Sequence, residues 1–380
     1  MLKLEDKGEW LVTNVLDYLK WRGDLTFTQD PLNAVDALIF SALSYIRAGG
    51  AVEGKPEEPV TLRDAAGAFF ALDNFEVRIR AKNDLELLRR ASESTRFGLS
   101  RICRYTDLYI PEEETQFAAM TFLLDDGTAF LAFRGTDETL VGWKEDFNMS
   151  FQETIPSQRL AQQYIREFAE GCNLPMRIGG HSKGGNLAVF GAARSSGDVQ
   201  KRILEVFNND GPGFTEFLMG DPGYRQMVPR IRTFVPQSSV IGMLLEHEEP
   251  YTIIKSSQVS ILQHEIYTWE VEGKHFIPME EITADSRFLN LTIKNWASQM
   301  SVQERNQVVD TLFALLNSGD VKTASDIFHP RNLGKYFRAV SSDDGVRQIL
   351  SGELRNLLSA AKKAREQFEE EKRIGPVSEE

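Results

Sequence analysis

The stretch Met176-Arg177-Ile178-Gly179-Gly180-His181-Ser182-Lys183-Gly184-Gly185-Asn186 places a glycine-bracketed serine between a short apolar run and a segment of helical character. It reads as a nucleophile elbow, a tight strand-to-helix turn with Ser182 at its tip. A serine hydroxyl is a weak nucleophile at neutral pH. An enzyme must lift it out of the chain, set a base beside it and aim amide donors at the developing oxyanion. The turn does the lifting. It strains the serine backbone and crowds the positions two before and two after, and here both are glycine, Gly180 and Gly184. A phosphate-binding loop is excluded, because Gly184 is followed by Gly185 rather than by a lysine and a hydroxyl residue.

The flanks fit the same turn. Upstream, Ser157 can cap a segment whose Leu160, Ala161, Tyr164, Ile165 and Phe168 share one helical face, closing at Gly171. Downstream, Leu187, Ala188, Phe190, Gly191, Ala192 and Ala193 are small or apolar and suit a helix packed closely on a sheet. Strand signals begin near Thr115, with β-prone runs at 119–124 and 128–134 joined by the turn Asp125-Asp126-Gly127. Further short strands are expected at 203–207, 231–235 and 251–255, interleaved with helix-like stretches such as 240–245. This alternation predicts an α/β fold with a mostly parallel central sheet.

With 380 residues, 42% hydrophobic and 26% charged, the chain can bury a large core. Lysine and arginine number 43 against 56 aspartates and glutamates, a net charge of −13, so no general basic surface serves nucleic acid. No window reaches the ~18 uninterrupted apolar residues of a membrane span, and the charged start of the chain lacks a signal-peptide core. The two cysteines, Cys103 and Cys172, are too few for a disulfide scaffold and fit a reducing, cytoplasmic compartment. The expected organisation is a helical region at 1–98, the α/β core at 99–279, a helical region at 280–373 and a flexible tail at 374–380. A capping box at Ser301 and Glu304 opens one of the late helices.

In a sheet of this kind the acid and base follow the serine, each on a loop at the carboxyl end of a strand. The expected strand at 203–207 runs into Asn208-Asn209-Asp210-Gly211-Pro212-Gly213, which makes Asp210 the preferred acid, although such clusters are also ordinary turns. Glu246 and Asp146 are its rivals. Of the five histidines, His264 follows the last good strand and a polar loop, as a base should. His275 is the second choice. His181 reads as a packed neighbour of the elbow, His247 as solvated surface within Glu246-His247-Glu248-Glu249, and His329 as a loop residue. No histidine pair has metal-ligand spacing, so no metal is expected, and no cofactor. The oxyanion hole needs the amide of the residue after the nucleophile, Lys183, and one from an earlier strand-to-helix loop. Arg134-Gly135-Thr136-Asp137 offers Thr136, with a plain turn as the equal alternative.

Three separated blocks resemble the class three lipase family, the fungal triacylglycerol lipase type, and more closely a bacterial group of lipase-like α/β hydrolases. They are Ala132-Phe133-Arg134-Gly135-Thr136 with Trp143 and Asp146 following, Gly180-His181-Ser182-Lys183-Gly184-Gly185, and His264 followed by Trp269. The resemblance implies an α/β-hydrolase fold, Ser182 as nucleophile, His264 as base and Thr136 as an oxyanion residue. One departure stands out. The family supplies its acid after the strand equivalent to 231–235, where this chain has Pro236-Gln237-Ser238-Ser239 and no carboxylate. Asp210, one strand earlier, is a position that other α/β hydrolases use. The expected activity is cleavage of a small-molecule or lipid-like carboxylic ester through an acyl-enzyme on Ser182. The alternatives are a thioesterase, acyltransferase or peptidase with the same machinery, or a non-catalytic interaction protein that keeps the fold. The sequence leaves the oligomeric state open.

Overall fold

Along residues 129–133, side chains alternate between two cores: Ala129, Leu131 and Phe133 join one apolar cluster, Phe130 and Ala132 the other. This is the period-two signature of a strand covered on both faces. The computed structural model describes residues 12–52, 58–137, 139–149, 152–317 and 330–374. In it this strand lies within an 8-stranded sheet whose spatial order equals its chain order. The strands are β1 Val60–Thr61, β2 Arg101–Ile110, β3 Thr115–Leu123, β4 Ala129–Phe133, β5 Met176–His181, β6 Ile203–Asn209, β7 Ile231–Pro236 and β8 Tyr251–Ile254. The steps from β1 to β4 are antiparallel and those from β4 to β8 parallel. The carboxyl ends of β4 to β8 therefore share one edge, where the site is built.

Helices Pro156–Gly171 and Lys183–Ala193 cover one face through Ala161, Tyr164, Ile165, Leu187 and Ala188 against Leu131, Ile178 and Val206. The N-terminal helices Val15–Arg22, Ala34–Leu43 and Lys82–Glu93 cover the other. All residues from Val35 to Leu43 are buried, so this helix is a layer of the core and not a half-exposed addition. The Ser301–Glu304 capping box forms as read, with Glu304 accepting the Ser301 N–H at 2.8 Å and Ser301 Oγ accepting the Glu304 N–H at 3.3 Å. The helix that follows, Val302–Asn317, packs through Val309, Phe313 and Leu316 on Leu140 of helix Leu140–Met149.

Three local expectations change. Strand structure begins well before Thr115, because β1 and β2 precede it. Ser157 does not cap its helix, which has Ile155 at that position; the Ser157 hydroxyl turns inward to Gln116 O at 3.0 Å and Glu145 Oε1 at 2.6 Å. The stretch 240–245 forms only a single 3₁₀ turn, Ile241–Met243. His329 and residues 375–380 lie outside the described residues. Among the described residues no helix is long and apolar enough to cross a membrane, and no cluster of three or more acidic, histidine or cysteine side chains could hold a metal ion.

Candidate active site

Ser182 joins β5 to helix Lys183–Ala193 at φ 59° and ψ −134°, a conformation costly for an L-residue. The two bracketing glycines are needed for contact reasons. A Cβ on Gly180 would stand 2.2 Å from the Gly184 carbonyl, and one on Gly184 would stand 2.1 Å from Phe133 O. The Ser182 N–H donates to Asn209 O at 3.0 Å, so the tip of the turn rests on the end of β6. The next residue, Asp210, also has a positive φ of 53°.

The structure brings Asp210 and His264 together, with Asp210 Oδ2 accepting from His264 Nδ1 at 2.6 Å. Asp210 Oδ1 accepts from the Ser239 hydroxyl at 2.5 Å and the Gly242 N–H at 3.2 Å. A buried carboxylate is tolerated only when its lone pairs are met in this way. Ser239 belongs to the stretch after β7 that has no carboxylate of its own; there a hydroxyl serves the acid of the preceding strand. Of the rival acids, Glu246 pairs with Lys294 at the surface and Asp146 accepts from the Thr136 hydroxyl. Among the described residues neither Ser182 Oγ nor His264 Nε2 has a hydrogen-bond partner, so the bond between them is not formed in this conformation.

His181 is packed, as read, and contacts the His264 loop directly. Its ring lies 4.5 Å from that of His264 at 34°. His181 Nε2 reaches His264 O at 2.9 Å and Nδ1 the Tyr45 hydroxyl at 2.9 Å. A carbonyl only accepts, so Nε2 carries the proton and Nδ1 accepts from Tyr45. Burial drives the imidazole well below its ordinary range, and the nearby His264 and Arg80 push the same way, which keeps this tautomer neutral. Tyr45→Phe leaves a buried acceptor unsatisfied and should cost about 1–3 kcal/mol, read as a lower urea midpoint. His275 is exposed on a small hairpin.

The loop after β4 runs beside the elbow: a Cβ on Gly135 would lie 3.0 Å from Ser182 Cβ. Among the described residues the N–H groups of Thr136 and Lys183 meet no acceptor. The Lys183 side chain turns the other way, fully buried, to Glu145 Oε2 at 2.8 Å and to Gln116 O and Oε1 at 2.9 and 3.0 Å. Asp146 lies 4.0 Å from Lys183 Nζ. Burial raises its carboxyl to about 6 against the pull of Lys183 and Thr136. The folded state therefore keeps a proton that the unfolded chain has shed. Stability should fall as pH rises from 3.8 to about 6, and Asp146→Asn should flatten that slope in urea midpoints measured across the window.

Sequence reasoning missed Tyr45, Ser239, Gly242 and Glu145. Each meets its site neighbour from a distant part of the chain, Tyr45 at His181, Ser239 and Gly242 at Asp210 and Glu145 at Lys183, and none carries a local motif. His247 was misread: its side chain is 5% exposed and bonded to Glu249 at 3.0 Å.

A sheet parallel from β4 to β8, with a positive-φ serine between β5 and its helix, defines a lipase-like α/β hydrolase fold. A family model described as Mbeg1-like matches residues 91–314, more than half of the chain, and the protein belongs to that family. Solved structures similar to it include a lipase propeptide complex of Rhizomucor miehei, 14% identical over 44% of this chain and 70% of that one, at TM-score 0.34. Lipase II from Rhizopus niveus is 12% identical over 50% and 86%, at TM-score 0.34. The M37 lipase is 14% identical over 80% and 97%, at TM-score 0.35. No curated protein matches the chain.

Proposed function

We propose that the protein is a serine hydrolase that cleaves a carboxylic ester, of lipid-like or acyl type, through an acyl-enzyme on Ser182. The observation that carries this reading is the strained Ser182 beside a buried Asp210 bonded to His264 at 2.6 Å. Ser182 Oγ attacks the ester carbonyl while His264 Nε2 takes its proton, and Asp210 holds the Nδ1–H tautomer and stabilises the imidazolium. The unpaired amides of Thr136 and Lys183 receive the oxyanion. Collapse expels the alcohol, protonated by His264, and water then frees the acid by the same steps in reverse. Catalytic hydrogen bonds often tighten only when substrate binds, so an open Ser182–His264 contact is compatible with this role.

The acyl preference is supported by Val259, Ile261 and Leu262, 70%, 51% and 59% exposed on the segment leading into His264. Fluorophosphonate labelling located to Ser182 by peptide mass, followed by a panel of esters of increasing chain length, tests the reading. Labelling with turnover of longer esters is expected. Labelling with preference for thioesters or peptides would reassign the substrate, and no labelling would leave a protein that keeps the fold without the chemistry.

A further inference from the structure

Behind Asp210 lies a second imidazole–carboxylate pair. His247 Nδ1 meets Glu249 Oε1 at 3.0 Å, and Nε2 meets the Gly242 carbonyl at 2.8 Å. The Gly242 carbonyl only accepts, so Nε2 carries a proton and donates to it, which leaves Nδ1 to the Glu249 carboxyl. Glu249 also accepts from the Tyr224 hydroxyl at 2.6 Å and the Thr233 hydroxyl at 2.7 Å. Burial opposes its ionisation, yet His247 and these hydroxyls together hold the carboxyl below its ordinary range. The side chains of His247 and Glu249 are 5% and 0% exposed. Burying such a pair is costly, and in many proteins an apolar pair would serve stability as well.

Its outward contact is Gly242. The Gly242 N–H reaches Asp210 Oδ1 at 3.2 Å and Ser239 Oγ at 3.0 Å, and Ser239 Oγ itself donates to Asp210 Oδ1 at 2.5 Å. A Cβ on Gly242 would stand 2.2 Å from Asp210 Oδ1, so the backbone is pressed directly onto the carboxylate. The turn that supplies both donors to Asp210 Oδ1 is thus fastened from behind by His247.

We propose that His247 and Glu249 are a positioning pair for the acid of the active site: by holding the Gly242 carbonyl they fix the 239–242 turn, and the turn fixes the Asp210 carboxylate in the plane that His264 Nδ1 requires. This rests on the hydrolase reading of Ser182, Asp210 and His264. Outer hydrogen bonds that orient a metal ligand are typically worth about 10–100-fold, and a loss of the same order is expected where they orient a carboxylate that holds a catalytic imidazole.

The full chain is compared with His247→Gln and Glu249→Gln in three measurements: kcat and KM on a nitrophenyl ester, the low-field proton resonance of the His264–Asp210 hydrogen bond, and the thermal midpoint. Folded variants should lose about 10–100-fold in kcat with KM little changed, and the resonance should shift or broaden. Glu249→Gln keeps an amide oxygen facing His247 and carries the comparison if His247→Gln does not fold. Folded variants with wild-type kcat and an unmoved resonance overturn the proposal, as does a loss of kcat that follows the thermal midpoint while the resonance stays put. If the wild type neither turns over esters nor labels with fluorophosphonate, the hydrolase reading has failed, and the resonance alone still decides whether the pair positions Asp210.

Discussion

Ser182→Ala should lower kcat on any accepted ester by about 10⁶-fold and abolish fluorophosphonate labelling, because the covalent route disappears with the hydroxyl. His264→Ala should cost nearly as much, and the double variant little more than either, since the residues act as one unit. Asp210→Asn should fall by about 10⁴-fold, the loss expected when the imidazole is held in the wrong tautomer. Folding should survive Ser182→Ala, because Ser182 Oγ has no hydrogen-bond partner among the described residues. A sharper test is Ser182→Gly. At φ 59° the serine backbone is strained, and glycine accepts that conformation; relief of about 1–3 kcal/mol of strain exceeds the roughly 0.5–1 kcal/mol entropy cost of glycine, so the variant should be inactive yet more stable by about 1–2 kcal/mol. A dead enzyme with a raised thermal midpoint would show strain kept for function; a lowered midpoint would mean that the elbow strain is not relieved by removing Cβ.

What was legible in the chain was what local chemistry dictates. The glycine spacing around Ser182 follows from backbone contact, and the apolar, β-prone run at 128–134 forms the strand Ala129–Phe133. The topological rule for sheet edges placed Asp210 at the end of β6, and the structure sets it against His264. Long-range burial was not legible. Glu246-His247-Glu248-Glu249 has the composition of a solvated run, yet Glu249 lies under Tyr224 and Thr233, which come from other elements. The stretch 240–245 has the apolar content of a helix, but Gly242 must bring its backbone against Asp210, and only one 3₁₀ turn forms. β2 mixes Arg101, Arg104, Thr106 and Asp107 into its sequence, so its strand character comes from pairing with β3 and not from an apolar pattern.

The largest stability effect is expected at the buried Lys183–Glu145 pair, where the proposed function and folding share one residue. In the proposed mechanism the Lys183 backbone N–H receives the oxyanion, while its ammonium is sealed against Glu145 at 2.8 Å, with both side chains 1% exposed or less. Removing one partner of a buried pair strands the other, at a cost of about 3–5 kcal/mol. The two deletions should differ. After Lys183→Met, Glu145 still accepts from the Ser157 N–H at 3.0 Å, the Ser157 hydroxyl at 2.6 Å and the Gln116 N–H at 3.2 Å. After Glu145→Leu, the ammonium keeps, among the described residues, only the Gln116 oxygens at 2.9 and 3.0 Å, with Asp146 the nearest carboxylate at 4.0 Å. Lys183→Met should therefore be the milder change, and Lys183→Met with Glu145→Leu should cost less than the sum of the two, a coupling that urea denaturation of the four proteins measures directly. Asp146 supplies an independent readout. Lys183 pulls its carboxyl down against the burial that raises it to about 6, so in Lys183→Met the pH window in which stability declines should extend further upward. Additive costs with an unmoved window would show that the buried charges do not act on one another, and that Lys183 contributes through packing of its stem alone.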